Sequence, residues 1–134
     1  MTSVPAGFSI ATPINRAVGA APALGIGAGF GGAVTQLTSK STGVTLNAKA
    51  GVITMQAASL ATVTDVSFTL TNSAISATDV VICNQGSGGT RGAYFCRCIT
   101  VADGSCVIRV ENTTGGTLSE ALTINFVVID AVNS

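Results

Sequence analysis

Residues 63–81 read VTDVSFTLTNSAISATDVV, and this stretch decides the fold class. Val66, Phe68 and Leu70 alternate with Ser67, Thr69 and Thr71. A period of two marks a strand with one buried and one polar face. Asn72 and Ser73 break the alternation, and a second apolar strand restarts at Val80. The same grammar continues on both sides. AVTQL, the polar turn TSKSTG and VTLNA (residues 33–48) give a hairpin signal. Lys49-Ala50-Gly51 is read as the turn into VITM, and MQAASLAT as a loose connection rather than a helical turn. QGSGGT (85–90) is a flexible loop by composition. Residues 93–101 and 106–111 flank Ala102-Asp103-Gly104-Ser105, a tight hairpin connection. ENTTGGTLSE is the last polar loop. Residues 122–129 then close the fold, with Leu122, Ile124, Phe126 and Val128 on one face. Val127 and Ile129 make the second half of that strand apolar on both faces, the pattern of a strand also buried against a neighbouring chain. About eight short strands with frequent turn signals predict an all-β module, a β-sandwich or jelly-roll-like barrel, over residues 33–134.

Residues 1–32 read as an extended N-terminal arm. Phe8, Ile10 and Ile14 are apolar, but Pro5, Pro13 and the later glycines forbid a sustained regular element. With no charge block to keep it solvated, the arm is expected to dock on a partner, the alternative being a floppy terminus. The uncharged run 17–34 contains six glycines and Pro22, which argues against a membrane-spanning helix. Sixteen residues with two prolines precede that run, which also fits a signal peptide poorly.

Charge is sparse: six basic and six acidic side chains in 134 residues, with no histidine. A monomer of this size exposes about 6,400 Å², or roughly one charge per 530 Å², far below an ordinary soluble surface. Either Ser, Thr and Asn cover the outside or much of it is buried against copies of the same chain; both are expected, and the second is the more informative. No basic patch offers nucleic acid or anionic lipid a footing. Five Phe, one Tyr and no Trp leave the core to Val, Ile, Leu and Ala.

Catalytic and metal chemistry find little to build on. Cys83, Cys96, Cys98 and Cys106 include a C-x-C but no C-x-x-C pair, and histidine is absent. Folding the hairpin about Asp103 places Thr100 opposite Cys106 and Cys98 opposite Ile108. On that register Cys96, Cys98 and Cys106 share a face with Ile108 and Val110 as small buried hydrophobes. A Cys98–Cys106 disulfide across diagonal positions is geometrically awkward. Residues 86–90, GSGGT, lack the Lys and the following helix of a phosphate loop. Asp65, Asp79, Asp103, Glu111, Glu120 and Asp130 fall mostly in turns or at strand ends. A glycan-active enzyme would need two of them paired beside an aromatic sugar platform, and no platform is evident. The expectation is a non-enzyme with no cofactor, no metal and no small-molecule substrate.

From Thr35 onward several collinear strings resemble one family of small bacteriophage virion proteins: TQLTSKSTGVTLN, VITM, VSFTLTNSAISATDVV, the GGT-x-GAY step at Gly88 to Tyr94, and GTLSEALTINFVVI. The resemblance covers roughly residues 31–130. It implies a β-rich, homotrimeric exterior module without enzymatic activity, either a stand-alone structural protein or the C-terminal module of a tail fibre or spike. Cys96 and Cys98 stand where the family pattern has aliphatic strand residues, and residues 1–30 match no family pattern. The leading expectation is a capsid decoration (cement) protein, assembled in the host bacterial cytoplasm and seated on the head exterior. Phe8, Ile10 and Ile14 would anchor it to the major capsid protein, and Val127 and Ile129 would lie in the trimer interface. The alternative is a receptor-binding tip module of a tail fibre, with QGSGGT and ENTTGGT facing the host.

Overall fold

The computed structural model describes residues 31–131. They form eight strands: β1 (Gly31–Thr35), β2 (Val44–Thr45), β3 (Ala50–Thr54), β4 (Asp65–Thr71), β5 (Val80–Gln85), β6 (Tyr94–Ala102), β7 (Ser105–Asn112) and β8 (Thr123–Ile129). Gly31, the first described residue, is already in β1, two residues before Ala33, the expected beginning of the module. Two mixed four-stranded sheets result, ordered β1-β3-β8-β5 and β2-β4-β7-β6. Neither closes on itself, so the jelly-roll-like barrel is corrected to two open sheets around one apolar core.

The alternations read in the sequence account for both inner faces. Phe68 and Leu70 of β4 are buried, as are Ile108 and Val110 of β7 and Leu122, Ile124, Phe126 and Val128 on and beside β8. Ile53, Val81 and Cys83 complete the inner face of the first sheet, and Tyr94, Cys96 and Cys106 that of the second. The connection after Met55 is not helical; Leu60 instead makes an isolated antiparallel bridge to Leu118.

The first hairpin is corrected. β1 pairs parallel with β3, and β2 pairs parallel with β4 in the other sheet. The intervening turn is not a solvated reversal, because two of its polar residues are buried. Gln36 donates from Nε2 to the Lys40 and Thr42 carbonyls at 3.0 and 2.9 Å. Lys40 donates from Nζ to the carbonyls of Gln56 and Glu120, both at 2.6 Å. These bonds tie the connection to distant loops and carry the chain across to the opposite sheet. The bend before β3 also falls at Ala48 and Lys49, earlier than expected. Gly51 lies within β3, where a Cβ would come within 2.7 Å of Leu46 Cδ2 and 2.9 Å of the Gly32 carbonyl oxygen. Its glycine serves close packing rather than a turn.

The β6–β7 hairpin forms, with one register correction. Ala102 pairs with Ser105 around Asp103-Gly104, and Gly104 takes a φ of 78°. Thr100 therefore faces Val107, not Cys106; a bulge between Cys98 and Thr100 then restores Cys98 opposite Ile108. One extra residue on the bulged strand shifts the register by one.

Candidate functional site: the outer faces of the two sheets

The two sheets turn opposite surfaces outward. On the β2-β4-β7-β6 sheet the outward residues of β4 are polar or charged, and those of β6 and β7 mix Arg97, Arg109 and Glu111 with Phe95, Ile99 and Val107. Arg109 Nε lies 3.2 Å from Asp65 Oδ2, and Arg97 Nη1 lies 3.7 Å from Glu111 Oε2. The Arg97 guanidinium also stacks 4.9 Å above the exposed Phe95 ring. That face carries the two ion pairs of the sheets.

The outer face of β1-β3-β8-β5 carries no charged side chain. The register sets Ala50, Val127 and Ile82 in one row across β3, β8 and β5, and Ile129 beside Val80 in the next. Ala33 and Val52 continue the apolar surface toward β1. Ile82, Val80 and Ile129 are 51%, 50% and 47% exposed, while Val127 is half-buried among them. Asn84, Asn125, Thr54 and Thr123 make the polar remainder. Lys49 and Asp130 form an ion pair beyond the apolar end. Val127 and Ile129 lie on the outer side of β8, on a wider apolar patch than the sequence indicated. Val80 and Ile82 were missed, although the run VVIC is apolar on both faces just as FVVI is. Phe8, Ile10 and Ile14 lie outside the described residues.

The loops form a second feature. QGSGGT and ENTTGGT lie at the same end of the domain, joined through Ala93: its N–H donates to the Thr90 carbonyl, and its own carbonyl accepts from Thr113 N–H at 2.9 Å. Glu120 accepts from Thr90 N–H at 2.9 Å, Thr90 Oγ1 at 2.7 Å and Tyr94 OH at 2.7 Å. These donors, the Thr90 backbone first, hold its carboxyl below the ordinary range. Burial, then the Glu120 hydrogen bond and charge, push the Tyr94 phenol up. Lys40 is pulled down by burial, against the attraction of Glu120. Gln85, Ser87, Arg91, Tyr94 and the loop glycines line an open depression of about 590 Å³. No helix follows the glycine loop; it runs directly into β6.

All four cysteines are free thiols. Cys83, Cys96 and Cys106 are buried in the core, and Cys98 is half-buried against it. Burial, reinforced for Cys83 and Cys106 by neighbouring thiols, raises Cys83 and Cys106 to about 12; burial alone raises Cys96 to about 11. Thiols held this far above neutrality are poor nucleophiles. Among the described residues, no group of three or more His, Cys, Asp or Glu side chains is arranged to hold a metal ion. Each carboxylate is engaged in holding the fold. Asp79 Oδ2 accepts from Ser76 N–H at 2.9 Å, Asp103 Oδ1 accepts from Ala77 N–H at 2.8 Å, and the others pair as described. No helix of the described residues is long and apolar enough to cross a membrane.

Comparison with protein-family profiles, characterised proteins and solved structures finds no match to this chain.

Proposed function

We propose that the chain is a non-enzymatic bacteriophage structural protein, a homotrimeric decoration (cement) protein on the exterior of the head. The observation that carries this reading is the contrast between the sheet faces. One carries two ion pairs; the other is free of charge and gathers Val80, Ile82, Val127 and Ile129 at one end, on a chain already poor in charge. A contiguous apolar face on a small domain marks a surface that works covered. The resemblance of its sequence strings to phage virion modules supplies the setting. In this reading the β-sandwich modules associate through the face bearing Val127 and Ile129. Phe8, Ile10 and Ile14 tie each copy to the major capsid protein and staple neighbouring capsid subunits together. Burying three such side chains contributes roughly 4–9 kcal/mol before ordering costs. Three arms on one particle add through effective concentration.

The clustering of both glycine-rich loops at one end favours a second reading, a receptor-binding tip in which that end meets the host surface. Antibody raised against the purified chain separates the two on intact virions. Labelling of heads supports decoration, and labelling of fibre tips supports receptor binding. Label on neither would overturn both. For the first reading, deleting residues 1–16 is expected to leave a folded trimer that no longer sediments with undecorated heads. Undiminished binding would make the module itself the anchor.

A further inference from the structure

The depression at the QGSGGT loop carries polar groups that the fold leaves unused. Lys40 donates to two carbonyls, and Lys49, Arg97 and Arg109 pair with Asp130, Glu111 and Asp65. Arg91 is exposed and, among the described residues, meets no carboxylate within ion-pair distance. It lines the depression with Gln85, Ser87, Tyr94 and the loop glycines, and no other charged side chain lines it.

Local bonding fixes these groups in place. The Ala93 N–H donates to the Thr90 carbonyl at 3.2 Å, and Gly92 has a φ of 74° while that of Arg91 is negative. This is a type II turn with Arg91 at its second position. Glu120 accepts the Thr90 N–H and hydroxyl and the Tyr94 hydroxyl, so it braces the loop without pairing with Arg91. Gln85 Nε2 donates to the carbonyls of Gly88 and Thr90 at 3.3 and 3.0 Å. Among the described residues its Oε1 is left without a donor, and the N–H groups of Gly88, Gly89, Arg91 and Gly92 without an acceptor. Gly88 and Gly89 take φ of 75° and 72°, and their bare backbone can be approached closely. A Cβ on Gly89 would meet Tyr94 Cε2 at 3.4 Å, so the tyrosine ring lies against this backbone.

The wall therefore offers a guanidinium, several N–H donors, the Ser87 hydroxyl and one amide acceptor around about 590 Å³. Small-molecule sites span about 300–1,000 Å³. A bare anion would pair with Arg91 but leave Gln85 Oε1 and most of the space unfilled. A neutral sugar would answer the N–H groups and the amide but leave the arginine uncompensated. A sugar acid answers all of them. Its carboxylate matches the guanidinium fork, while its ring hydroxyls can donate to Gln85 Oε1 and accept from the loop N–H groups. We propose that this depression binds a carboxylated sugar unit, with Arg91 holding the carboxylate and Gln85 and the loop backbone reading the hydroxyls. The inference rests on neither virion location. Its failure would leave both standing, and label on neither heads nor fibre tips would leave this site standing.

The test is an amide NMR titration of the isotopically labelled full chain with sodium glucuronate, and separately with glucose and with acetate. Saturable shifts at Gly88, Gly89, Arg91 and Gly92 are expected with glucuronate, at an affinity about tenfold or more above either control. Arg91→Gln should weaken glucuronate binding by a similar factor and leave the remaining spectrum unchanged, because Arg91 bonds to nothing described in the fold. Equal affinity for acetate would make this a plain anion site, and equal affinity for glucose would give Arg91 no part; either overturns the sugar-acid assignment. Shifts confined to another surface, no shifts, or undiminished binding by Arg91→Gln would overturn the site itself. Immobilised hyaluronate, which carries the same unit in a polymer, separates the sources. Retention of wild type but not of Arg91→Gln assigns the site to a polysaccharide, and glucuronate binding without retention assigns it to a free sugar acid.

Discussion

Replacing Asn112 with alanine should cost about 3–5 kcal/mol, although no apolar contact is lost. The side chain is fully buried at the end of β7 and holds three pieces of chain together. Its Nδ2 donates to the carbonyls of Leu60 at 3.0 Å, Ala61 at 3.2 Å and Gly116 at 2.8 Å. Its Oδ1 accepts from Thr114 N–H at 2.9 Å and from the Thr114 hydroxyl at 2.8 Å. Alanine leaves the Thr114 N–H without this acceptor, at about 1–3 kcal/mol, and removes hydrogen bonds contributing about 1 kcal/mol each. Leu60 O and Gly116 O keep other donors, Leu118 N–H and Thr114 Oγ1, which limits the loss. Against a total stability of about 5–15 kcal/mol, the change should lower Tm by about 10–25 °C.

A second substitution isolates the electrostatics. Asn112→Asp keeps the shape and the acceptor but sets a carboxylate against the Leu60, Ala61 and Gly116 carbonyl oxygens. Burial and those oxygens raise its folded pKa above the unfolded value of about 3.9. The folded variant then holds a proton that the unfolded chain releases, so stability relative to wild type falls as pH rises through that window. Urea unfolding of wild type and both variants at pH 4 and pH 7 is the assay. A loss below about 1 kcal/mol for Asn112→Ala, or an Asn112→Asp deficit equal at the two pH values, would refute the assignment.

Other outcomes follow from single residues. Val63 is 71% exposed with a φ of 51°, a left-handed conformation that disfavours a β-branched side chain; Val63→Gly should raise urea-measured stability by about 1 kcal/mol, and a loss would place the valine side chain in a contact that outweighs the strain. Gly51→Ala should destabilise by about 1–3 kcal/mol, because the new Cβ would meet the Gly32 carbonyl at 2.9 Å as well as two side chains; an unchanged denaturation midpoint would contradict that crowding. With Cys83 and Cys106 raised from 9.0 to about 12 and Cys96 to about 11, the folded state keeps protons that the unfolded state sheds above pH 9. Stability should therefore fall between about pH 9 and 12, by up to about 1.4 kcal/mol per pH unit for each thiol. Tyr94 adds to the fall and Lys40 opposes it, and a flat profile to pH 11 would sink the argument. Thiol labelling should be slow in the native state and reach four groups after denaturation without reductant; fewer than four would reveal a disulfide.

The strands were legible because burial leaves a local signature. Each side chain of β4 or β8 declares its face by the identity of its immediate neighbours. The β6–β7 hairpin was legible for the same reason, since its turn residues stand between the strands they join. The bulge at Ile99 was not, because an extra residue in one strand changes no periodicity in the other. Sheet membership was hidden too. A polar stretch between two apolar ones reads as a reversal, whereas residues 36–42 cross from one sheet to the other. What distinguishes the two is where Lys40 Nζ finds acceptors, and the farther one, Glu120, lies eighty residues along the chain.

The same contrast explains why the candidate surface was half visible. Apolarity on both sides of a strand is a sequence property, so Val127 and Ile129 could be singled out, and VVIC in β5 carried the same message. Their joining into one patch depends on β8 lying between β3 and β5, an order that no local pattern encodes. Once that order is known, the scarcity of charge acquires a location. Arg97, Arg109, Asp65 and Glu111 are grouped on the other sheet, and Lys40, Asp79 and Glu120 are tied to loops and strand ends. The β1-β3-β8-β5 face is left without a charge. Random scatter of so few charges could leave a bare face, but it would not also place half-exposed Val80, Ile82 and Ile129 side by side on it. Leaving such side chains in water forfeits roughly 25 cal/mol for every Å² that contact could bury. A partner surface that recovers this gain is the reason we propose for the face to stay apolar.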